Sequence, residues 1–198
     1  MTTPSTTTTT TTNNPNPLLH FRVATPADTA LLHTLVQSAF RGDESRLGWT
    51  TEANLLAGDR ISPAGLLAKI THPEGAVLLA STSTTITSTA CCEVVRRTAE
   101  TAYFGMFAVS PRRQGGGIGK AVLAYAEEYC RRVLGVERME LSVIWSRGEL
   151  IAWYMRRGYR RTGEEVPFPH GELARAGGVA LKEDLHMVIM AKDLCYLP

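Results

Sequence analysis

The chain alternates strand-like and helix-like segments, which predicts a single domain of the α/β class. Its 198 residues suit one domain, and 44% hydrophobic against 20% charged residues suit a globule with an apolar core. A glycine-rich turn joins a strand-like segment to a helix-like one in the second half of the chain. The net charge is only +2, and no apolar run approaches the roughly 18 residues of a membrane span. Neither nucleic acid nor membrane is therefore expected as a partner.

The first 17 residues consist almost entirely of Thr, Asn and Pro. They offer too little apolar surface to offset the entropy of ordering, so we expect a disordered tail over 1–17 and a folded domain over 18–198. The tail lacks the apolar centre of a signal peptide and the arginines of a transit peptide. We therefore expect a cytoplasmic protein, with the nucleus left open.

The four cysteines show neither the C-x-x-C pattern nor the Cys/His spacing of a zinc site. Cys91 and Cys92 are adjacent and would point to opposite faces of a strand, which makes a disulfide between them a poor candidate. We expect buried, reduced thiols and no metal site.

The hydrophobic periodicity predicts seven strands and five helices. The strands are expected at 18–24, 75–82, 89–96, 102–109, 138–144, from 159 to 162 onward, and 186–192. The helices are expected at 26–40, 51–56, 63–70, 117–134 and 147–157. Thr25-Pro26 and Ser62-Pro63 begin two of them, and a capping box from Ser146 to Glu149 begins the last. Gly158 is placed to end that helix.

The glycine-rich turn lies in Val109–Lys120, directly after the strand-like run Tyr103–Val109. Such a turn exposes backbone N–H groups at a helix N-terminus, which favours anions and most plausibly phosphates. A Walker A loop would need glycine at Gln114 and a hydroxyl at Ala121. A dinucleotide fingerprint would need glycine at Lys120. The sequence therefore matches neither a Walker A loop nor a dinucleotide fingerprint.

The glycine-rich turn does fit the pattern Q-x-x-G-x-G, formed by Gln114, Gly117 and Gly119, and a second motif follows as Tyr154-x-x-x-Gly158-Tyr159. These two motifs resemble those of the GNAT superfamily of N-acetyltransferases. The second motif departs from the usual pattern in its first half, because Arg147 stands at the Asn position and Leu150 at the Ala position. The motifs are about 40 residues apart and both fall on strand–helix units.

The resemblance implies a mixed, mostly antiparallel seven-stranded sheet flanked by helices, with its fourth and fifth strands splayed. It implies acetyl-CoA as the acetyl donor, bound between those strands. The residues that would bind it are Phe107, Ala108 and Val109 of the fourth strand, Gln114, Gly115, Gly116, Gly117, Ile118, Gly119 and Lys120 of the loop, and Arg147.

By the same resemblance, Tyr154 is the candidate general acid that protonates the departing thiolate. Its alternative interpretation is a core tyrosine at helical spacing. The general base is not readable from the sequence. Glu100, before the fourth strand, and Glu140, in the fifth, are candidates, and each is alternatively an ordinary surface charge.

The resemblance places the acceptor between the loop after the first helix and the region of the last two strands. Glu44, Trp49 and Glu52 lie in the first, and Phe168 and His170 in the second. An acidic, aromatic wall would suit a cationic amine. The alternative is that both segments are solvated loops.

Three functions stay open at this point. The first is direct acetyl transfer from acetyl-CoA to a primary amine of a small molecule. The second changes the acceptor to a protein or peptide amine. The third, of another class, is a GNAT-fold module that binds acyl-CoA without turnover. The protein is expected as a monomer or a homodimer.

Overall fold

The computed structural model describes residues 19–82 and 88–194. The predicted tail over 1–17, the turn at 84–87 and Cys195 lie outside them. The strands are β1 Leu19–Val23, β2 Leu56–Gly58, β3 Gly75–Thr82, β4 Ser88–Arg96, β5 Thr101–Val109, β6 Arg138–Ile144, β7 Arg160–Pro167, β8 Gly178–Ala180 and β9 His186–Asp193. The helices are α1 Thr29–Phe40, α2 Gly42–Ser45, α3 Pro63–Ile70, α4 Ile118–Arg132, α5 Gly148–Met155 and α6 His170–Arg175.

Seven strands form one sheet in the order β1-β3-β4-β5-β6-β9-β7. Every neighbouring pair in it is antiparallel except β5 and β6. This pair is parallel and stays in register only from Thr101–Arg138 to Tyr103–Glu140, after which the two strands separate. The predicted mixed sheet with splayed central strands is confirmed.

Helices cover both faces of the sheet. The apolar side of α4, with Val122, Ala126 and Cys130, packs with α5 against one face. Leu32 and Val36 of α1 pack with α3 against the other face. The central strands are therefore buried on both sides, which explains the nearly continuous apolar run of β3.

β5 carries a bulge opposite β4. The register shifts between Cys91 and Glu93 of β4, and Met106 of β5 has a φ of 45°. A positive φ is uncommon for a residue with a side chain, and bulges re-aim a strand at functional sites. The bulge lies in the half of β5 that has already separated from β6.

Several local predictions differ from the structure, and the short elements α2 and β8 were not predicted. The helix expected over 51–56 is a turn, in which Leu55 and Leu56 donate to the carbonyl of Glu52, and the chain then pairs as β2 with β8. The last predicted N-cap shifts by one residue: α5 has Arg147 as its N-cap, because its first helical bond runs from the Ile151 N–H to the Arg147 carbonyl. Helix α6 was not predicted. Within the described residues, no helix is long and apolar enough to cross a bilayer.

Candidate active site

A cavity of about 1070 Å³ opens where β5 and β6 separate. We call it the central cavity. Its walls come from the separated halves of β5 and β6, from the N-terminus of α4, from α5, and on the other side from α3 and α6. The space left by two diverging strands thus becomes a cleft that reaches from one face of the sheet to the other.

The glycine loop, residues 114–120, forms one end of the cavity. Gly115 and Gly117 have φ values of 89° and 79°, a conformation that glycine adopts without strain. Gly117 is the N-cap of α4, and the first helical bond comes from the Ala121 N–H. The N–H groups of the first turn are left without helical partners, and the helix dipole adds positive potential there. The loop is therefore built to bind an anion through backbone.

Gln114 fixes this loop rather than facing a ligand with its amide. Its Oε1 accepts from the Trp49 N–H at 3.0 Å, and its Nε2 donates to the Val109 carbonyl and the Thr50 hydroxyl, both at 3.2 Å. A Cβ on Gly48 would lie 2.7 Å from the Gln114 Oε1, so a side chain at this position would displace the Gln114 amide from these bonds. Gln114 joins the end of β5 to the 46–56 segment.

The other residues predicted to bind the donor divide into two groups. Phe107, Val109, Gly119 and Lys120 line the central cavity, as do Gln114, Gly115, Gly117 and Arg147. The side chains of Ala108 and Ile118 are buried in the core, and Gly116 is exposed outside the cavity lining. Only the backbone of these last three residues is available for a ligand role.

Tyr154 lies in the wall of the central cavity and is 4% exposed. Its ring meets Trp153 edge-on at 5.1 Å and Tyr159 at 5.6 Å. Burial raises the pKa of the Tyr154 phenol well above its ordinary value, although Arg147 opposes this shift. The phenol therefore keeps its proton at neutral pH, the state that a general acid requires.

An aromatic group lies beside the glycine loop, and neither Trp153 nor the Arg157 that stacks on it was predicted from the sequence. Trp153 lies 6.0 Å from Phe107 and 6.4 Å from Trp49, measured between ring centroids. The Arg157 guanidinium stacks 3.4 Å above the Trp153 ring, and all of these side chains line the cavity. A signal was present in the sequence, since Trp153 precedes the Tyr154 motif and Arg157 lies within it. The direction in which their side chains point depends on tertiary packing.

A buried ion-pair network forms the wall beside the loop after α1. Glu52 is buried, and its two carboxylate oxygens accept from Arg41 at 2.7 Å and from Arg147 at 2.8 Å. Arg147 also donates to the Thr50 carbonyl. Burial alone would raise the pKa of Glu52, but Arg147, Arg60 and Arg41 hold that pKa below its usual range.

The predicted acidic wall for a cationic amine is not assembled. Glu52 lines the cavity, but two arginines neutralise its carboxylate. Glu44 forms an exposed pair with Arg112 and is outside the cavity lining. Trp49 and Phe168 do line the cavity, whereas His170 is exposed outside it, with its ring 5.0 Å from that of Phe168.

Neither carboxylate predicted as a base lies in the central cavity. Glu100 is exposed before β5, and Glu140 is half-buried and pairs with Arg138 at 2.9 Å. The cavity instead holds Glu93 of β4, which sequence reasoning missed. Glu93 is 5% exposed, and its two oxygens accept from Lys69 of α3 at 2.9 and 2.7 Å. An isolated glutamate in a strand gives no sign of such a placement.

The family model of the acetyltransferase (GNAT) family matches residues 56–159. This match spans β2 through the end of the Tyr154 motif, more than half of the chain. The chain belongs to the GNAT family of acetyltransferases. The resemblance stated from the two motifs is thereby confirmed, together with the enzyme class, an acyltransferase. No curated protein matches the chain significantly.

Solved structures show the same fold at low identity. The putative acetyltransferase yncA from Salmonella typhimurium, solved with its cofactor acetyl-CoA, is 17% identical with a TM-score of 0.64, over 91% of this chain and 96% of that one. Spermidine N-acetyltransferase from Vibrio cholerae, in complex with CoA and spermine, is 15% identical with a TM-score of 0.64, over 89% and 95%. A GNAT acetyltransferase from Staphylococcus aureus Mu50 is 14% identical with a TM-score of 0.61, over 90% and 100%.

Proposed function

We propose that this acetyltransferase transfers acetyl directly from acetyl-CoA to a primary amine of a small molecule. The observation that carries the proposal is the central cavity itself. One continuous cleft joins the glycine loop, the buried Tyr154 phenol and the buried Glu93 carboxylate. A donor and an acceptor can therefore meet in it without a covalent enzyme intermediate.

The residues present fit acetyl-CoA. An ideal Cβ on Gly115 meets no atom within 4 Å, so the loop presents open backbone where a pyrophosphate would approach. The Lys120 side chain lies in the same wall and is exposed. The separated halves of β5 and β6 leave strand edges free to bond an extended pantetheine arm. The supporting neighbour from Salmonella typhimurium was solved with its cofactor acetyl-CoA.

The reaction forms an N–C bond and breaks the thioester C–S bond. Backbone N–H groups of β5 beyond the bulge at Met106 are placed to polarise the thioester carbonyl. The electron pair of the broken bond leaves on sulfur, and Tyr154 supplies the proton that this thiolate requires. The nitrogen loses its second proton as the amide forms, and that proton restores the Tyr154 phenol. The amine attacks directly, so no cysteine nucleophile is needed. The pKa of Cys91 is raised to about 12 by burial, which keeps that thiol protonated.

Glu93 is the carboxylate best placed to receive the proton of the acceptor ammonium. It lies across from Gly105 of β5, next to the bulge, and a Cβ on that glycine would be 3.5 Å from the Glu93 Oε2. Both Glu93 and Gly105 line the cavity. Lys69 donates to both Glu93 oxygens and holds the carboxylate in position in the cavity wall.

The charge of the central cavity lining argues against a polyamine as the acceptor. The Vibrio cholerae relative was solved with spermine, a polycation. Nine arginine or lysine side chains line the cavity of this protein, against three carboxylates. Such a lining would repel a polycation, so we propose a primary amine that is not a polyamine.

The experiment compares two buried tyrosines. In Tyr154→Phe, we expect kcat to fall at least about tenfold with little change in the KM for acetyl-CoA, because only protonation of the leaving thiolate is lost. Thiol release from acetyl-CoA is measured across a panel of primary amines, with mass spectrometry of the products.

The matched control is Tyr159→Phe. The Tyr159 hydroxyl donates to Glu127 at 3.1 Å, away from the cavity lining. Its loss should lower the free energy of unfolding by about 1.5–3 kcal/mol, as for a hydrogen bond to a charged group, and leave kcat unchanged. Equal kcat in wild type and Tyr154→Phe would overturn the acid role. If no amine accelerates thiol release while acetyl-CoA still raises Tm, the protein is a binding module.

A further inference from the structure

A cluster of three arginines around one carboxylate lies in the wall of the central cavity. We call Arg41, Arg60 and Arg147, with Glu52 between them, the arginine cluster. All four side chains line the cavity. Glu52 is bonded to Arg41 and Arg147, and Arg60 adds a third cation that acts on the same carboxylate. Three guanidinium groups and one carboxylate carry a net charge of +2, and the Arg41 and Arg147 side chains are only 6% and 11% exposed, so the site favours an anion.

Two observations show which arginines have bonding capacity left. Arg41 is 7% exposed, and its Nε is buried without a hydrogen-bond partner among the described residues. The Arg60 guanidinium lies 5.2 Å from the centroid of the Phe40 ring, and within 19–82 and 88–194 no carboxylate comes within ion-pair distance of it. Buried polar groups are nearly always satisfied in folded proteins, so a missing partner indicates a ligand.

Two members of the arginine cluster, Arg41 and Arg60, lie on the face of the sheet opposite α4, whereas Arg147 begins α5 on the other face. Arg41 follows α1, and Arg60 precedes α3, the two helices that pack on one face. The neighbours Phe40 and Ile61 belong to the core of that face, whereas the glycine loop opens the helix that covers the other face. The donor phosphates and the anion for the arginine cluster therefore approach from different sides.

We propose that the acceptor carries an anionic oxygen group, a carboxylate or a phosphate, in addition to its amine, and that Arg41 and Arg60 bind this group. The inference rests on the proposed acetyl transfer and names the substrate class of the same cavity. Arg60 lies three residues before α3, and Lys69, paired with Glu93, lies in its last turn, so both groups are held by the same helix. The anionic end meets the arginine cluster and the amine meets Glu93.

The test uses acceptors that differ only in charge. ω-Amino acids of increasing chain length are compared with their carboxamides, and O-phosphoethanolamine with ethanolamine. We expect the anionic member of each acetylated pair to have the higher kcat/KM, by at least about tenfold. In Arg60→Gln, its KM should rise at least about tenfold, while the KM for acetyl-CoA and for the neutral member stays unchanged. Arg60→Lys keeps the charge and should retain part of the preference.

Arg46→Gln is the matched control, because Arg46 lies in the same segment, is half exposed in its side chain and is outside the cavity lining. A preference for neutral acceptors in the wild type would overturn the proposal. So would a rise in the KM for acetyl-CoA without a change for the anionic acceptor, which would assign the arginine cluster to the donor phosphates.

A binding measurement separates this inference from the proposed reaction. With CoA saturating the donor site, inorganic phosphate should raise the Tm of the wild type and of Arg46→Gln, but not that of Arg60→Gln. That result without any thiol release would mean that the anion site is present and the acetyl transfer is wrong. Thiol release without a phosphate-dependent shift in Tm would mean that the acetyl transfer is right and the anion site is absent.

Discussion

The glycine loop and the arginine cluster form two walls of the same cavity, and the chain assembles them differently. The loop is one contiguous segment, 114–120, whose ligand groups are backbone N–H groups. The arginine cluster brings together residues 41, 52, 60 and 147 through side chains. A backbone site can be read from local sequence because glycine spacing alone shapes it. A site made of distant charges depends on which partners the fold brings together.

The largest expected effect concerns the base. Glu93→Gln removes the carboxylate in the central cavity, and we expect kcat to fall about 100-fold, within the usual contribution of a general base. The KM for acetyl-CoA should stay unchanged, because the carboxylate acts on the acceptor. Steady-state kinetics at neutral pH measure both values.

Glu140→Gln and Glu100→Gln are the controls for that variant, because both residues lie outside the cavity lining. Their kcat values should stay within about twofold of the wild type. A large loss of kcat in Glu140→Gln with no loss in Glu93→Gln would show that Glu140 of β6, and not Glu93, is the general base.

A smaller effect is expected at the glycine loop. Gly115→Ala places a methyl group on a residue with a φ of 89°, facing the donor site. We expect the KM for acetyl-CoA to rise at least about fivefold, because the methyl group obstructs the close approach of the pyrophosphate. The KM for the acceptor should not change.

Gly163→Ala provides a matched control in β7. Its φ is 90°, and an added Cβ there also meets nothing within 4 Å. Both variants should lose about 1–2 kcal/mol of stability from the left-handed backbone, but only Gly115→Ala should affect donor binding. If the KM for acetyl-CoA were similar in the two variants, Gly115 would have no contact with the donor, and the effect of its substitution would be backbone strain alone.

The smallest expected effect is that the local stability of the arginine cluster depends on pH. Since the pKa of Glu52 is lower in the folded state than in the unfolded chain, its contribution to stability is present above the ordinary carboxyl pKa. The contribution is lost as pH falls through the lowered value. Hydrogen exchange after brief acid pulses should show the 41–60 segment losing protection before the start of α4.

Glu52→Gln tests that assignment, because it removes the titrating group. The 41–60 segment should then exchange faster at neutral pH and show little further change on acidification. Equal pH dependence in this variant and the wild type would move the effect to another carboxylate, such as Asp28, whose pKa is lowered by its bond to Arg22.

Local sequence was a good guide wherever a structure depends on neighbouring residues. The strand–helix order, the glycine loop and the Tyr154 motif fall into this class, and their positions agree with the structure. The start of α5 was misplaced by one residue, and 51–56 was predicted as a helix, because β2 forms only by pairing with β8. A three-residue strand has no periodicity of its own to detect.

What the sequence determined by itself was the family, through two motifs whose spacing follows from backbone requirements. The tertiary structure decided which charged residues face one another. It neutralised Glu52 with Arg41 and Arg147 and placed Glu93, rather than Glu100 or Glu140, in the central cavity. The physical reason is that an ion pair depends on distance in space. Arg147 lies 95 positions from Glu52 along the chain, and no local pattern encodes their contact.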